Sequence, residues 1–179
     1  MKKQVINTAL YSFLLILALI FFDQITKIWA ASDLSSGPVT LIPGAFELRY
    51  LENQGAAFGM LQGARTFFLI ITPIFSALVV FVLLRMPATR RYLPLRICMV
   101  LLIAGAMGNF IDRLLFSYVR DFFYISLIDF PIFNVADIYV TFGVIILIIL
   151  ILFVYKDGEF GFIFGRKKKD SAVDKNENE

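Results

Sequence analysis

Four long stretches without a charged side chain constrain the fold of this chain more than any other feature. They contain 19, 19, 15 and 18 residues. A helix needs roughly 20 apolar residues to cross the hydrocarbon core of a bilayer. Charged residues make up only 17% of the chain, whereas a soluble domain has about 25%. The sequence therefore predicts a helical membrane protein with four spans. The stretches are residues 4–22, 66–84, 97–111 and 138–155.

The third stretch is short for a spanning helix. Its 15 residues would rise only about 22 Å through a core of about 30 Å. We therefore expect this helix to carry Arg96 or Asp112 near the edge of the hydrocarbon. The first stretch could instead be a cleaved signal peptide, but its length favours a retained helix. The predicted spans are about 4–23, 66–85, 95–112 and 137–155.

The distribution of Lys and Arg predicts the orientation in the membrane. With four spans, 12 of the 17 basic residues fall on one side, and the side richer in Lys and Arg is normally cytoplasmic. Both termini are therefore expected in the cytoplasm, and the connections 29–65 and 112–136 outside. Residues 1–156 are predicted to form one membrane domain, followed by a basic and polar tail over 157–179 that is too polar to pack.

The two outer connections have different patterns. In the first, apolar and polar residues alternate from Phe46 to Leu51, which predicts a short half-buried strand, and residues 39–42 resemble another. The second, residues 112–136, is rich in aromatic side chains. It is predicted to be amphipathic and to lie at the membrane interface.

The reactive side chains exclude several enzyme classes. The chain has no histidine and one cysteine, Cys98. Ser-His-Asp and Cys-His catalysis, histidine-ligated zinc and internal disulfides are therefore excluded. Acid–base chemistry would have to come from Asp, Glu, Lys or Tyr.

The acidic residues outside the tail all fall at or beyond the predicted outer boundary. Six of the 14 acids lie in the tail. Ionisable groups near membrane depth are costly and mark functional sites. We therefore expect a polar site where the outer connections meet the helices. The eight acids are Asp23, Asp33, Glu47, Glu52, Asp112, Asp121, Asp129 and Asp137.

Spacing gives some of these residues ordinary structural roles. Asp23 and Lys27 are four apart and can form an ion pair on one helical face. Asn134 stands at an N-cap position with Asp137 in the first turn, and capping alone would explain both. Asp137 has no nearby cation in sequence.

Without histidine, the plausible chemistry is a pair of carboxylates that share one proton and activate water. Spacing leaves open whether Asp112, Asp121 or Asp129 would be the partner of Asp137. The GxGD motif of presenilin-type intramembrane proteases is absent from the sequence.

Five short motifs, in this order along the chain, carry a resemblance to a known family. The chain resembles the lipoprotein signal peptidases, or signal peptidase II, the bacterial aspartic peptidase family A8, over about residues 10–155. Any one motif would be weak evidence, but five in order are specific. The motifs are DQITK (23–27), NQGAAF (53–58), GAMGNFIDR (105–113), VRDF (119–122) and FNVAD (133–137).

The resemblance implies an all-α membrane protein with four transmembrane helices, a small extracytoplasmic β-sheet and a short interfacial helix. It implies a peptidase that cleaves the signal peptide from diacylglyceryl-modified prolipoproteins just before the lipidated cysteine. It places the catalytic dyad at Asp121 and Asp137, at the outer face of the bacterial inner membrane. The residues it implies in supporting roles are Asp23, Lys27, Asn53, Gly55, Asn109, Asp112, Arg113 and Asn134.

The same resemblance implies which molecules the protein meets. These are prolipoprotein substrates, membrane lipids and globomycin-type peptide inhibitors, with no metal, no cofactor and no nucleic acid. Two other classes stay open from the residues alone. One is a small transporter or channel with an acidic outer vestibule, although no internal repeat supports it. The other is a non-catalytic scaffold, which would leave the clustered Asp and Asn residues unexplained.

Overall fold

A computed structural model describes residues 2–55, 63–156 and 158–164. Four of its helices are long and apolar enough to cross a membrane, as predicted. The long helices are α1 (Lys2–Asp33), α2 (Arg65–Arg85), α3 (Leu93–Phe116) and α4 (Val135–Ile149, continued by a π-helical turn, Leu150–Val154); the strands are β1 (Val39–Ile42), β2 (Phe46–Asn53) and β3 (Val119–Tyr124).

The third helix, α3, is the centre of the bundle. It packs against α1, α2 and α4, and 56% of its apolar stretch is buried, against 6%, 17% and 11% in the other three. Small residues let α4 approach it closely: a Cβ atom on Gly143 would lie 3.0 Å from the Leu102 side chain. Close contact through small residues is how membrane helices gain packing energy. The apolar residues on the outward faces of the helices are exposed, as lipid contact requires.

Two helices are longer than their charge-free stretches. The first helix, predicted to end near residue 23, continues to Asp33, because Asp23 and Lys27 pair inside the protein and are fully buried. The third helix encloses both Arg96 and Asp112. Arg96 is buried and donates hydrogen bonds to the Met86 and Pro87 carbonyls. Internal partners therefore let these helices carry charges that the prediction places at their ends.

A three-stranded antiparallel sheet, in the order β1-β2-β3, covers one end of the bundle. We call this the sheet end. The strands β1 and β2 confirm the predictions for the first connection. The second connection contributes β3, a strand that the sequence pattern does not predict, and its predicted helix is a single 3₁₀ turn, Ser126–Ile128. Residues 119–122 are buried in succession, so β3 has no apolar–polar alternation to detect.

Part of the predicted structureless tail is folded. Residues 158–160 form a turn and Gly161–Phe164 a short helix, α5. Glu159 forms an ion pair with Arg91 at 2.9 Å, and the Tyr92 hydroxyl donates to the Glu159 carbonyl at 2.8 Å. The prediction is therefore wrong for residues 158–164. Residue 157 and residues 165–179 lie outside the described residues.

A strained residue ends α3 and offers a stability test. Ser117 has a φ of 74°, in the left-handed region that favours glycine. Ser117→Gly is expected to raise the free energy of unfolding by about 1 kcal/mol, measured by thermal unfolding in detergent. Ser32→Gly, in the exposed last turns of α1, should instead lower it, because glycine disfavours an ordinary helical position. A loss of stability in Ser117→Gly would contradict the strain.

Candidate active site

The first turn of α4 fixes the position of Asp137. Asn134 is the N-cap of this helix, as predicted, and the Asn134 Oδ1 atom accepts a hydrogen bond from the Asp137 backbone N–H at 3.0 Å. In return, Asp137 Oδ2 accepts the Asn134 backbone N–H at 3.1 Å. This reciprocal capping box satisfies two N–H groups at the start of the helix. It also leaves Asp137 Oδ1 to face other partners.

Strand β3 brings Asp121 to the same place. The Asp121 carboxylate is buried and accepts hydrogen bonds from Asn53 Nδ2 at 2.8 Å and Asn134 Nδ2 at 2.5 Å. Asn134 therefore bonds to both carboxylates, through its side-chain amide to Asp121 and through the cap to Asp137. The strand from the second connection and the helix that follows it place the two acids around one asparagine.

Both carboxylates line one cavity of about 630 Å³ at the sheet end. Most of its wall is apolar, with a few polar side chains. Enzyme sites commonly have this composition, a largely apolar cleft with a few convergent polar groups. The polar lining is Asn53, Thr72, Asn109, Arg113, Asp121, Asp137 and Thr141; the apolar wall includes Phe68 from α2, Ala106 from α3, Phe142 from α4 and the 130–133 loop.

Burial and the neighbouring charge of Asp137 raise the pKa of Asp121 to about 7. The hydrogen bonds from Asn53 and Asn134, and the charge of Lys27, act in the opposite direction. Two close carboxylates share a proton when neither can easily carry a second negative charge beside the other. With its pKa raised to about 7, Asp121 carries the proton below that pH.

The other two candidate partners of Asp137 lie elsewhere. Asp112 is fully buried and forms an ion pair with Arg120, whose Nη2 atom lies 2.7 Å from Asp112 Oδ1. Asp129 is exposed on the outer surface, where it accepts a hydrogen bond from the Tyr124 hydroxyl at 2.6 Å. Neither lines the cavity. Of the three acids that spacing left open, the structure brings Asp121 alone to Asp137.

A buried network of charged side chains from α1, α3 and β3 lies beside the cavity. Lys27 lies 2.9 Å from Asp23 Oδ2, as predicted, and 3.7 Å from Asp112. Asp23 Oδ1 accepts the Ala136 backbone N–H at 2.9 Å, which ties the start of α4 to α1 and places a negative charge at the positive end of that helix. The two acids, Asp23 and Asp112, are balanced by two bases, Lys27 and Arg120, so the network is neutral.

Sequence reasoning missed three members of this network. Arg120 donates to Asp112 through both its backbone and its guanidinium group. The Gln24 amide bridges Asp112 and Arg120. Gly108 makes room, because a Cβ atom there would lie 2.5 Å from Asp23 Oδ2. All three belong to the quoted motifs, but no spacing rule distinguishes them from their neighbours.

Arg113 lines the cavity and joins α3 to the turn at Gly55. Its guanidinium group donates to the Gly55 carbonyl at 2.9 Å and lies over the Phe68 ring, 4.2 Å from the centroid. The Gly55 backbone N–H in turn donates to Asn53 Oδ1 at 2.9 Å, so Asn53 holds this turn as well as Asp121. The supporting residues implied by the resemblance therefore all lie at the cavity or in the network beside it. The described residues contain no cluster of three or more Cys, Asp and Glu side chains suited to a metal ion.

Four apolar helices, a small sheet over one end and two carboxylates in a shared cavity define a membrane-embedded enzyme. The chain belongs to the signal peptidase II family: the family model described as signal peptidase (SPase) II matches residues 15–153. It is therefore a protease, and the transporter and scaffold alternatives are excluded.

Similar proteins cover most of the chain. A lipoprotein signal peptidase of Streptococcus pyogenes serotype M5 (strain Manfredo) is 40% identical over 149 residues, which is 82% of this chain and 93% of the relative. A relative of the same name in serotype M3 (strain ATCC BAA-595 / MGAS315) is also 40% identical over 149 residues.

Two solved structures share the fold. Both are described as bacterial membrane enzymes. The first has a TM-score of 0.69 at 40% identity and covers 79% of this chain and 87% of its own. The second has a TM-score of 0.67 at 39% identity and covers 81% and 94%. The membrane fold is therefore shared along with the sequence.

Proposed function

We propose that this protein is an aspartic endopeptidase that removes the signal peptide from diacylglyceryl-modified prolipoproteins, just before the lipidated cysteine. Its relatives are named lipoprotein signal peptidases. The observation that carries the aspartic mechanism is that Asp121 and Asp137 line one cavity and both bond to Asn134.

The two acids divide the chemistry of hydrolysis between them. Asp137, as carboxylate, takes a proton from a water molecule while the water oxygen bonds to the scissile carbonyl carbon. Asp121, protonated, donates its proton to the carbonyl oxygen. The C–N bond of the tetrahedral intermediate then breaks, the proton on Asp137 passes to the leaving amine, and Asp121 takes a proton back from a hydroxyl group of the intermediate as the carbonyl forms again. No covalent enzyme intermediate forms, and no metal or cofactor takes part.

The cavity wall suits a lipid-linked, apolar substrate. Helices α2 and α4 each pack on α3 and contribute Phe68 and Phe142 to the wall. The apolar signal helix lies among these helices, with its acyl chains in the surrounding lipid. Arg113 and the cavity asparagines hold the substrate backbone. The sheet end faces outward from the bacterial inner membrane, and both termini are cytoplasmic.

Processing of a defined precursor tests this function. Detergent-solubilised protein is incubated with a diacylglyceryl-modified prolipoprotein and with the same precursor carrying an unmodified cysteine. We expect a released signal peptide from the lipidated precursor only, and inhibition by a globomycin-type peptide. Equal cleavage of both precursors would contradict the substrate class. An intact lipidated precursor would contradict the function.

Filling the cavity should block the substrate without touching the acids. Ala106→Phe places a large ring in the cavity wall. We expect kcat/KM to fall at least about 100-fold, because the ring takes up space that the substrate needs and moves the scissile bond away from the two acids. The matched control is Ala77→Phe on the exposed surface of α2, which should retain activity. Normal processing by folded Ala106→Phe would show that the substrate binds elsewhere.

The proton on Asp121 predicts a pH dependence. Because the pKa of Asp121 is raised to about 7, the protonated acid is present below that pH and is lost as the pH rises through it. We expect kcat/KM to fall about tenfold per pH unit on the alkaline side, measured with the lipidated precursor. A rate that stays level up to pH 9 would mean that the acid of the reaction is not Asp121.

A further inference from the structure

Lys27 is a buried cation that does not line the cavity. Its side chain is fully buried on α1. The ammonium group donates to Asn109 Oδ1 at 2.8 Å and lies 2.9 Å from Asp23 Oδ2 and 3.7 Å from Asp112 Oδ2. The shortest of the three contacts is therefore to a neutral amide on α3. Neutralising the two acids does not explain this contact.

The contacts of Asn109 allow only one orientation of its amide. Asn109 Oδ1 accepts from Lys27 Nζ and from Asn134 Nδ2, and Asn109 Nδ2 donates to Asp137 Oδ1 at 2.7 Å. An ammonium group can only donate hydrogen bonds and a carboxylate can only accept them. A flipped amide would point its NH₂ at the ammonium and its oxygen at the carboxylate. Of the two donors to Asn109 Oδ1, Lys27 is the charged one and the closer one, at 2.8 Å against 3.1 Å for Asn134 Nδ2, and charge-assisted hydrogen bonds are the stronger ones.

We propose that Lys27 is a positioning residue, whose ammonium holds the Asn109 amide so that it donates to Asp137 and aims that carboxylate at the attacking water. The inference rests on the proposed role of Asp137. Lys27 acts through Asn109 and does not touch the substrate. The bond from Asn109 complements the cap on the other oxygen of Asp137, so both oxygens of the carboxylate are held.

A purely structural role for Lys27 makes a different prediction. If Lys27 only neutralises its neighbours, its loss leaves Asp23 and Asp112 facing Arg120 alone, and the harm comes from one unbalanced charge. Removing the charge of Asp23 as well should then repair the damage. If Lys27 positions Asn109, the repair fails, because the amide still lacks its charged donor and keeps the longer bond from Asn134 alone.

Three variants separate the two roles: Lys27→Met, Asp23→Asn and the double variant. Asp23→Asn keeps the bond from Lys27 to Asn109, so we expect kcat within about tenfold of the unmodified protein. Lys27→Met should lose at least about 100-fold in kcat with KM unchanged. The double variant should be as slow as Lys27→Met. Recovery of the double variant to the level of Asp23→Asn would overturn the proposal.

A spectroscopic measurement gives an answer that needs no substrate. The carboxylate stretching bands of Asp137 are assigned as the infrared difference between each protein and its Asp137→Asn counterpart. We expect these bands to shift in Lys27→Met and in the double variant but to stay in place in Asp23→Asn, because only the first two lose the oriented hydrogen bond. Unchanged bands without Lys27 would overturn the proposal.

The two measurements keep this proposal separate from the proposed function. If the unmodified protein fails to process the lipidated precursor, the proposed function fails and the infrared bands still decide the role of Lys27. If Lys27→Met does not fold, both kcat and the infrared bands are measured on the double variant, because its remaining buried charges balance. Elution as a single peak from a sizing column in detergent shows that each variant folds.

Discussion

Asp137→Asn and Asp121→Asn are each expected to reduce cleavage of the lipidated precursor by about 10⁴-fold or more. Asparagine has nearly the size of aspartate but can neither take a proton from water nor donate an acidic one to a carbonyl. The cavity and the cap at Asn134 should survive, because each amide keeps one oxygen as an acceptor. The loss should therefore appear in kcat and not in the amount of folded protein.

The control for this pair is Asp129→Asn. Asp129 is an exposed acid of the same connection whose side chain accepts a hydrogen bond from the Tyr124 hydroxyl and does not line the cavity, and its replacement should leave the rate unchanged. Processing is measured by release of the signal peptide from purified protein in detergent. Substantial cleavage by either dyad variant would show that the carboxylates do not act as a pair.

Arg120→Met is expected to be the most destabilising single replacement at the site. It leaves the fully buried Asp112 carboxylate with the Gln24 amide and the backbone N–H of residue 120 as neutral donors, and with Lys27 at 3.7 Å as the nearby cation. Breaking a buried ion pair costs about 3–5 kcal/mol. Arg120 also joins strand β3 to α3, so the strand that carries Asp121 should loosen. We expect lower unfolding temperature and loss of processing together.

An exposed ion pair provides the comparison. Arg49 lies 3.0 Å from Glu47 with 47% of its side chain exposed, and such surface pairs contribute about 0–1 kcal/mol. Arg49→Met should therefore unfold close to the temperature of the unmodified protein. If Arg120→Met is no less stable than Arg49→Met, the buried network does not hold β3 in place.

The number of spanning helices could be predicted from the sequence, but the helix ends could not. Charge-free stretches report where lipid excludes charge, so they mark the spans well. They mark the ends badly when a charge is neutralised inside the protein. Asp23 and Lys27 are an example: their pairing lets α1 continue to Asp33, although the same residues in lipid would have ended the span.

The sequence could predict only part of the candidate site. Because acids near membrane depth are energetically costly, the sequence predicted a polar site where the outer connections meet the helices, with Asp137 as one of its acids. Spacing could not distinguish Asp121 from Asp112, because the difference lies in tertiary contacts: Arg120 turns back to Asp112, and its neighbour Asp121 faces the cavity. The family resemblance made that choice; the cavity is lined by Asp121 and Asp137 and not by Asp112.

The mass of the products tests the central claim most directly. The unmodified protein and the two dyad variants are incubated with the same diacylglyceryl-modified prolipoprotein, and the products are measured by mass spectrometry. We predict a mature fragment that begins at the lipidated cysteine from the unmodified protein, and only intact precursor from Asp121→Asn and Asp137→Asn. A cut at another position, or the same fragment from either variant, would contradict the account.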